Sequence, residues 1–212
     1  MNKVFSKYHL LLILFFIPSI MFGDDAEKII SHLQKKYDGM KDATISFTQK
    51  VQFNFTKKEQ TFSGKITMKR GNKYRIEVGE QTIVTDGKTV WTYSKPNKQV
   101  LVNMYQEDEE TLTPDKIMTA LPKEYKSEIV GEEKIGKFKT TILKLQPKES
   151  STIKSMKVWV DESEWLMRQI QIQDVSDNLS TYMIDEIKMN TGVADSYFKF
   201  DAPKGVEVID MR

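Results

Sequence analysis

Arg70 stands at the end of an alternating run in which Phe62, Gly64, Ile66 and Met68 share its parity, while Thr61, Ser63, Lys65, Thr67 and Lys69 occupy the other. Strand side chains alternate between faces. Parity therefore points the guanidinium to the apolar side, where it needs oxygen acceptors waiting for it. The chemistry this suggests is a planar fork of donors latching a cavity. Other reactive types are scarce. There is no cysteine, which removes disulfides, thiolate metal sites and cysteine nucleophiles. Beyond residue 23 the one histidine is His32, inside an amphipathic pattern with no partner in view for either ring nitrogen, and it reads as a helix-surface residue. Gly-rich phosphate loops, zinc spacings and nucleophile elbows are absent, and the carboxylates are scattered. The expectation is a binding protein, not an enzyme, with no cofactor and no metal.

Composition narrows the compartment. Lys3 and Lys7 precede an apolar run from Leu10 to Phe22, and Gly23 stands before Asp24 and Asp25. That core suits a secretory signal and is too short for a bilayer span, which needs about 20 apolar residues. Residues 1–23 are expected to be a removable signal peptide and 24–212 a single domain. Without the signal, 30 basic residues face 30 acidic ones, so no global field points to nucleic acid or an anionic membrane. The eleven methionines suit either an apolar surface that adapts to varied ligands or irregular core filling.

The elements that must hold Arg70 follow from periodicity. Residues 25 to 40 read as a helix capped by Asp24 or Asp25, with Ile29, Ile30, Leu33, Tyr37 and Met40 on one stripe. The period then changes to two. Ile45, Phe47, Val51, Phe53 and Phe55 share a parity interrupted only by Gln49. Alternating runs continue at about 60–70, 73–79, 81–86, 88–93 and 98–104, then at about 125–134, 137–146, 153–161, 165–174 and 180–189. Asp86-Gly87 is the strongest hairpin signal, as a type I′ turn with positive φ at both residues. Thr113-Pro114 opens a short second helix bearing Ile117, Met118 and Leu121 and closed by Pro122, preceded by a solvated acidic run from Glu107 to Glu110. Val206 to Asp210 is a candidate for a further short strand. About 11 antiparallel strands must curl, and apolar helix stripes must be covered. The expected architecture is mainly β (α+β), an unclosed half-barrel with a helical lid over an apolar cavity. Shared parity and lid stripes nominate Phe47, Phe62, Ile66, Met68, Tyr74 and Ile76 from the strands and Leu33, Ile117, Met118 and Leu121 from the helices as its lining. Trp91 and Trp159 have apolar neighbours at either parity, so their face stays open.

Several segments, in order, carry a resemblance. They are Ile45-Ser-Phe-Thr-Gln-Lys-Val51, Gly64-Lys-Ile-Thr-Met-Lys-Arg70 with Tyr74-Arg-Ile76, Ile83-Val-Thr-Asp-Gly-Lys-Thr-Val-Trp-Thr-Tyr93, Thr113-Pro114, and Phe198-Lys-Phe-Asp-Ala-Pro-Lys-Gly-Val-Glu-Val208. Together they resemble the LolA-type periplasmic carriers of outer-membrane lipoproteins across essentially the whole chain after the signal. The resemblance implies a monomeric periplasmic carrier that takes acylated lipoproteins from an ABC-type releasing complex in the inner membrane and hands them to an outer-membrane acceptor. It also implies that Arg70 is the lid latch and that Tyr74 lies at the cavity mouth. One position departs from the pattern: the family usually has proline after that arginine, and here Gly71 stands instead. A same-fold envelope protein that senses lipids without transporting them is the rival class. A transmembrane β-barrel would also alternate, but its lipid face does not tolerate a chain with 29% charged residues. A lipid hydrolase is the enzyme alternative and has no residue pattern in its favour.

Overall fold

The computed structural model describes residues 22–106 and 124–212. Most of the expected signal segment, the acidic run and the expected second helix with Ile117, Met118 and Leu121 fall on residues outside those described. Helix α1 (Phe22–Asp38) begins three residues before its expected start and leaves Met40 beyond its end. Ala26, Ile29, Ile30 and Leu33 form its buried stripe. Lys35 and Lys36 complement the negative end of the helix dipole in the last turn, and the Gly39 N–H donates to the Lys35 carbonyl at 3.2 Å.

Twelve strands follow among the described residues: β1 (Asp42–Gln52), β2 (Glu59–Lys69), β3 (Lys73–Val78), β4 (Gln81–Asp86), β5 (Thr89–Ser94), β6 (Gln99–Met104), β7 (Tyr125–Ile135), β8 (Phe138–Pro147), β9 (Ile153–Asp161), β10 (Leu166–Asp174), β11 (Leu179–Met189) and β12 (Glu207–Asp210). They form one sheet in the order β12-β6-β5-β4-β3-β2-β1-β11-β10-β9-β8-β7. Two antiparallel meanders meet at β1 and β11, so the first and last long strands of the chain are neighbours. The twelfth strand is the C-terminal candidate segment, and it pairs with β6 in parallel.

The two faces are covered differently. On the inner face α1 packs its stripe against Leu143 and Leu145 of β8, Met156, Val158 and Val160 of β9, and Met167 and Ile170 of β10. On the outer face the chain after β11 crosses β3 and β4 through a short 3₁₀ helix (Asp195–Phe198), whose Phe198 is fully buried. Val84, Val100 and Val102 are buried on that side too. The Asp195 carboxylate accepts from Lys69 Nζ at 2.6 Å and Lys73 Nζ at 2.8 Å, pinning the crossing segment, and these two ammonium groups hold its carboxyl down at about 2.

The Asp86-Gly87 connection differs from the expected turn. Gly87 has φ +89° but Asp86 is not in the positive region, and the Asp86 carboxylate instead accepts from the N–H groups of Lys88 and Thr89 at 2.9 Å. This is a side-chain-closed turn. A Cβ on Gly87 would collide with the Gly71 carbonyl, so glycine is required by the close approach of the β4–β5 and β2–β3 turns as well as by its own φ.

Candidate functional site

Between the part of the inner face that α1 covers and strand β3 lies a cavity of about 230 Å³. It is lined by Tyr37, by Ile45, Phe47 and Gln49 of β1, by Ile66 and Met68 of β2, by Ile76 and Val78 of β3, and by Met167, Ile170, Ile172, Tyr182, Ile184 and Ile187 of β10 and β11. Along it runs a row of register partners, Ile187, Ile45, Ile66, Ile76 and Ile83, across five strands, and all but Ile83 line the cavity. Cross-strand β-branched neighbours of this kind pack well on a pleated face. A bulge at Asp185 lets Ile184 and Ile187, which are of opposite parity, serve the same face. The next row pairs Phe47 with Gly64, and a Cβ on Gly64 would overlap the Phe47 ring. Gly64 is thus the gap into which the ring lies.

The nominated lining residues divide. Phe47, Ile66, Met68 and Ile76 line the cavity. Leu33 is fully buried in the solid core between α1 and β8–β10. Phe62 is half-buried beside Gly79. Tyr74 is 7% exposed and packed with Ala43, Ile45 and Met68, so it stands in a core cluster and not at a water-accessible mouth.

Arg70 lies just past the end of β2. It is the first residue of the β2–β3 turn and is exposed. Its Nε donates to the Met40 carbonyl at 2.9 Å and its Nη2 to the Asp38 carbonyl, while its own N–H donates to the Lys41 carbonyl at 3.2 Å. The acceptors are the last residue of α1 and its exit, where carbonyls lack intrahelical donors. Gly71 and Asn72 follow with φ +86° and +57°. Proline is confined to a φ near −65°, so this turn requires a non-proline residue where the family pattern has one.

Polar groups at the cavity are few. The Gln49 amide donates to Tyr182 Oη at 3.0 Å. Burial raises the phenol of Tyr182 above its ordinary value. Burial also pushes Tyr37 up to about 12, against a smaller opposing pull from the Met167 N–H and the Arg168 charge. A larger hollow of about 570 Å³ beneath the β1–β2 hairpin is lined by groups such as Gln52, Lys57, Glu59, Lys157, Gln171 and Asp177. Its charged and amide walls suit water and not alkyl chains.

Sequence reasoning missed two features. His32 is exposed as expected, but its ring stacks on Trp165 at 4.1 Å between centroids and 13° between planes, tying α1 to the β9–β10 turn. The partner lies 133 positions away. Trp91 and Tyr93 face outward, in register with Val84 and Thr82, and Tyr93 meets Phe200 of the crossing segment at 5.6 Å. Trp159 also faces outward, donating to Glu133 at 2.6 Å.

A family model described as "Outer membrane lipoprotein carrier protein LolA" matches residues 38–201. The chain belongs to the LolA family. Its proteins are carriers and not enzymes. The outer-membrane lipoprotein carrier protein of Pasteurella multocida is 31% identical over 100% of this chain and 99% of its own. That of Histophilus somni strain 2336 is 30% identical over 86% of this chain and 88% of its own. An uncharacterized protein of Methanocaldococcus jannaschii is 28% identical over 95% of this chain and 60% of its own. Among solved structures, an uncharacterized conserved protein from Thermus thermophilus superposes with a TM-score of 0.59 at 13% identity, covering 88% of this chain and 99% of that one. LprF from Mycobacterium bovis gives 0.51 at 11%, covering 85% and 98%. These two likenesses concern the fold alone.

Proposed function

We propose that this LolA-family chain is an exported carrier that shelters the acyl chains of lipoproteins in the cavity beside α1. In this reading residues 1–23 are a removed signal, and the protein works in the periplasm as a monomer. It takes its cargo from an ABC-type releasing complex in the inner membrane and yields it to an outer-membrane acceptor. The observation that carries the reading is the continuous apolar wall from Ile187 to Ile83, joined to a cavity with few polar groups. A triacylated cargo exposes some 40 methylenes at about 0.8 kcal/mol each, roughly 30 kcal/mol in all, so it does not cross water unaided. Affinities saturate near −20 kcal/mol, and a carrier at that limit would never release its load. The pocket must yield instead of fitting tightly. At about 230 Å³ the cavity is below the roughly 300–1,000 Å³ of ligand pockets, so loading has to widen it. Met68 and Met167 in its wall supply flexible thioethers for that.

Arg70 is the latch in this proposal. Its donors hold the exit of α1 against the β2–β3 turn, and charge-assisted hydrogen bonds contribute about 1.5–3 kcal/mol each, toward the lower end at an exposed site. Arg70→Leu removes them and tilts the protein toward an open, loaded state. Loading with an acylated lipoprotein should persist, while release to the acceptor falls about tenfold or more. Lysine should restore release only in part, because a point charge cannot span both carbonyls. Normal release by Arg70→Leu would remove Arg70 from the mechanism. The small volume of the cavity also favours a second reading, a lipid-sensing envelope protein, and growth rescue of a carrier-depleted cell separates the two.

A further inference from the structure

Gln49 is the residue that breaks the apolar parity of β1, and the proposed function as stated above makes no use of it. It lies on the inner face with Ile45 and Phe47 and lines the cavity, where a leucine would satisfy the pattern. Its amide donates to Tyr182 Oη, which engages one amide hydrogen and one lone pair of the phenol. The second amide hydrogen and the Tyr182 hydroxyl hydrogen have no acceptor in the hydrogen bonds described for these residues. While the cavity is open, water satisfies them. When alkyl chains expel that water, two donors are left facing hydrocarbon, which is unfavourable unless the ligand brings an acceptor. A hydrocarbon chain has none. The carbonyl oxygen of an acyl ester or amide has two lone pairs and suits two converging donors.

We infer that Gln49 and Tyr182 form a subsite for the acyl carbonyl of the cargo, which sets the direction in which its chains lie. This rests on the acyl-chain reading of the cavity and adds a chemical preference to it. Along β1, Phe47, Ile45 and Ala43 follow Gln49 toward the Arg70 end, a run of about 20 Å at strand rise. A carbonyl held at Gln49 sends its chain along β1, past Phe47 and Ile45, toward that end. The head of the lipid then faces the β1–β2 hairpin. The pair reads acyl linkage as well as hydrocarbon content.

The test is calorimetric titration with two water-soluble, short-chain phosphatidylcholines of equal chain length, one ester-linked and one ether-linked. The parent chain should bind the ester about 3- to 10-fold more tightly, the range expected of a net neutral hydrogen bond. Tyr182→Phe, which removes one hydroxyl and keeps the ring, should lose part of that preference. Gln49→Leu with Tyr182→Phe should abolish it, weakening the ester and tightening the ether. Equal affinities in the parent, or a preference that survives both substitutions, overturns the carbonyl subsite and leaves the acyl-chain cavity standing. If neither lipid binds the parent, both fall together.

Discussion

The two halves of the sheet solve opposite problems with the same strand chemistry. From β7 to β10 the inner face is filled: α1 lays Ala26, Ile29, Ile30 and Leu33 on four strands, and Leu33, Leu143, Leu145, Val158 and Val160 are fully buried. From β11 through β4 the inner face carries an equally apolar row, but Ile66, Ile76 and Ile83 are only partly buried, and Ile66 and Ile76 border a cavity. That half takes its packing from the other side, where Phe198 and the crossing segment cover Val84. Moving the solid core to the outer face frees the inner one. That wall can then stay apolar and underpacked without unfolding the strands that bear it.

This contrast predicts unequal consequences for similar substitutions. The largest effect is expected of Tyr74→Glu, which puts a carboxylate into the packed cluster beside Ala43 and Met68 at the Arg70 end of the open half. It should lower the unfolding free energy by about 4 kcal/mol or more in urea titration. A variant as stable as the parent would move Tyr74 back to a wet mouth. Next come paired truncations. Leu33→Ala in the filled half should cost about 3–5 kcal/mol, whereas Ile76→Ala in the cavity wall should cost about 1 kcal/mol, since it enlarges a space that exists already. Equal losses would erase the distinction between the halves.

Gly64→Val is a smaller and more directed change. Its side chain must displace the Phe47 ring into the cavity, so we expect about 1–3 kcal/mol of destabilisation together with weakened lipid binding. Binding at parental strength would show that the ring can go elsewhere.

The smallest effect is on acid stability, where, among the described residues, each half has one buried carboxylate. Asp42 accepts from the Thr191 N–H and hydroxyl and from the Gly192 N–H, and Asp161 from Ser163 and Arg168. Burial pushes each carboxyl up, but these donors outweigh it and both titrate below their ordinary value. Their contribution is therefore complete above the unfolded value of about 3.9 and is lost as pH falls through the lower folded value. Asp42→Asn should flatten the loss of stability as pH falls below about 4, as should Asp161→Asn. An acid limb as steep as the parent's in both variants would place the sensitivity elsewhere.

The helix, the strands and the apolar parity of β1 to β3 were legible because periods of 3.6 and 2 are local properties of a few consecutive residues. Gln49 was legible in the same way, as a break in parity. Family resemblance added the importance of Arg70, and parity could not name its acceptors, because the Asp38 and Met40 carbonyls belong to a separate segment of the chain. The positive φ of Gly71 belongs to the β2–β3 turn, and it explains the missing proline after the fact.

What the sequence determined by itself is which residues share a face, since alternation and helical spacing require no knowledge of distant partners. Tertiary structure alone decided what covers each face. Trp91 and Tyr93 look outward because a segment more than 100 positions later crosses there, and His32 has a ring to stack on because the β9–β10 turn lies beside α1. Arg70 donates to carbonyls freed by the end of a helix some 30 residues earlier in the chain. Periodicity separates two sides of a strand, but the packing that makes one side a core and the other a cavity is set by contacts between residues far apart in sequence.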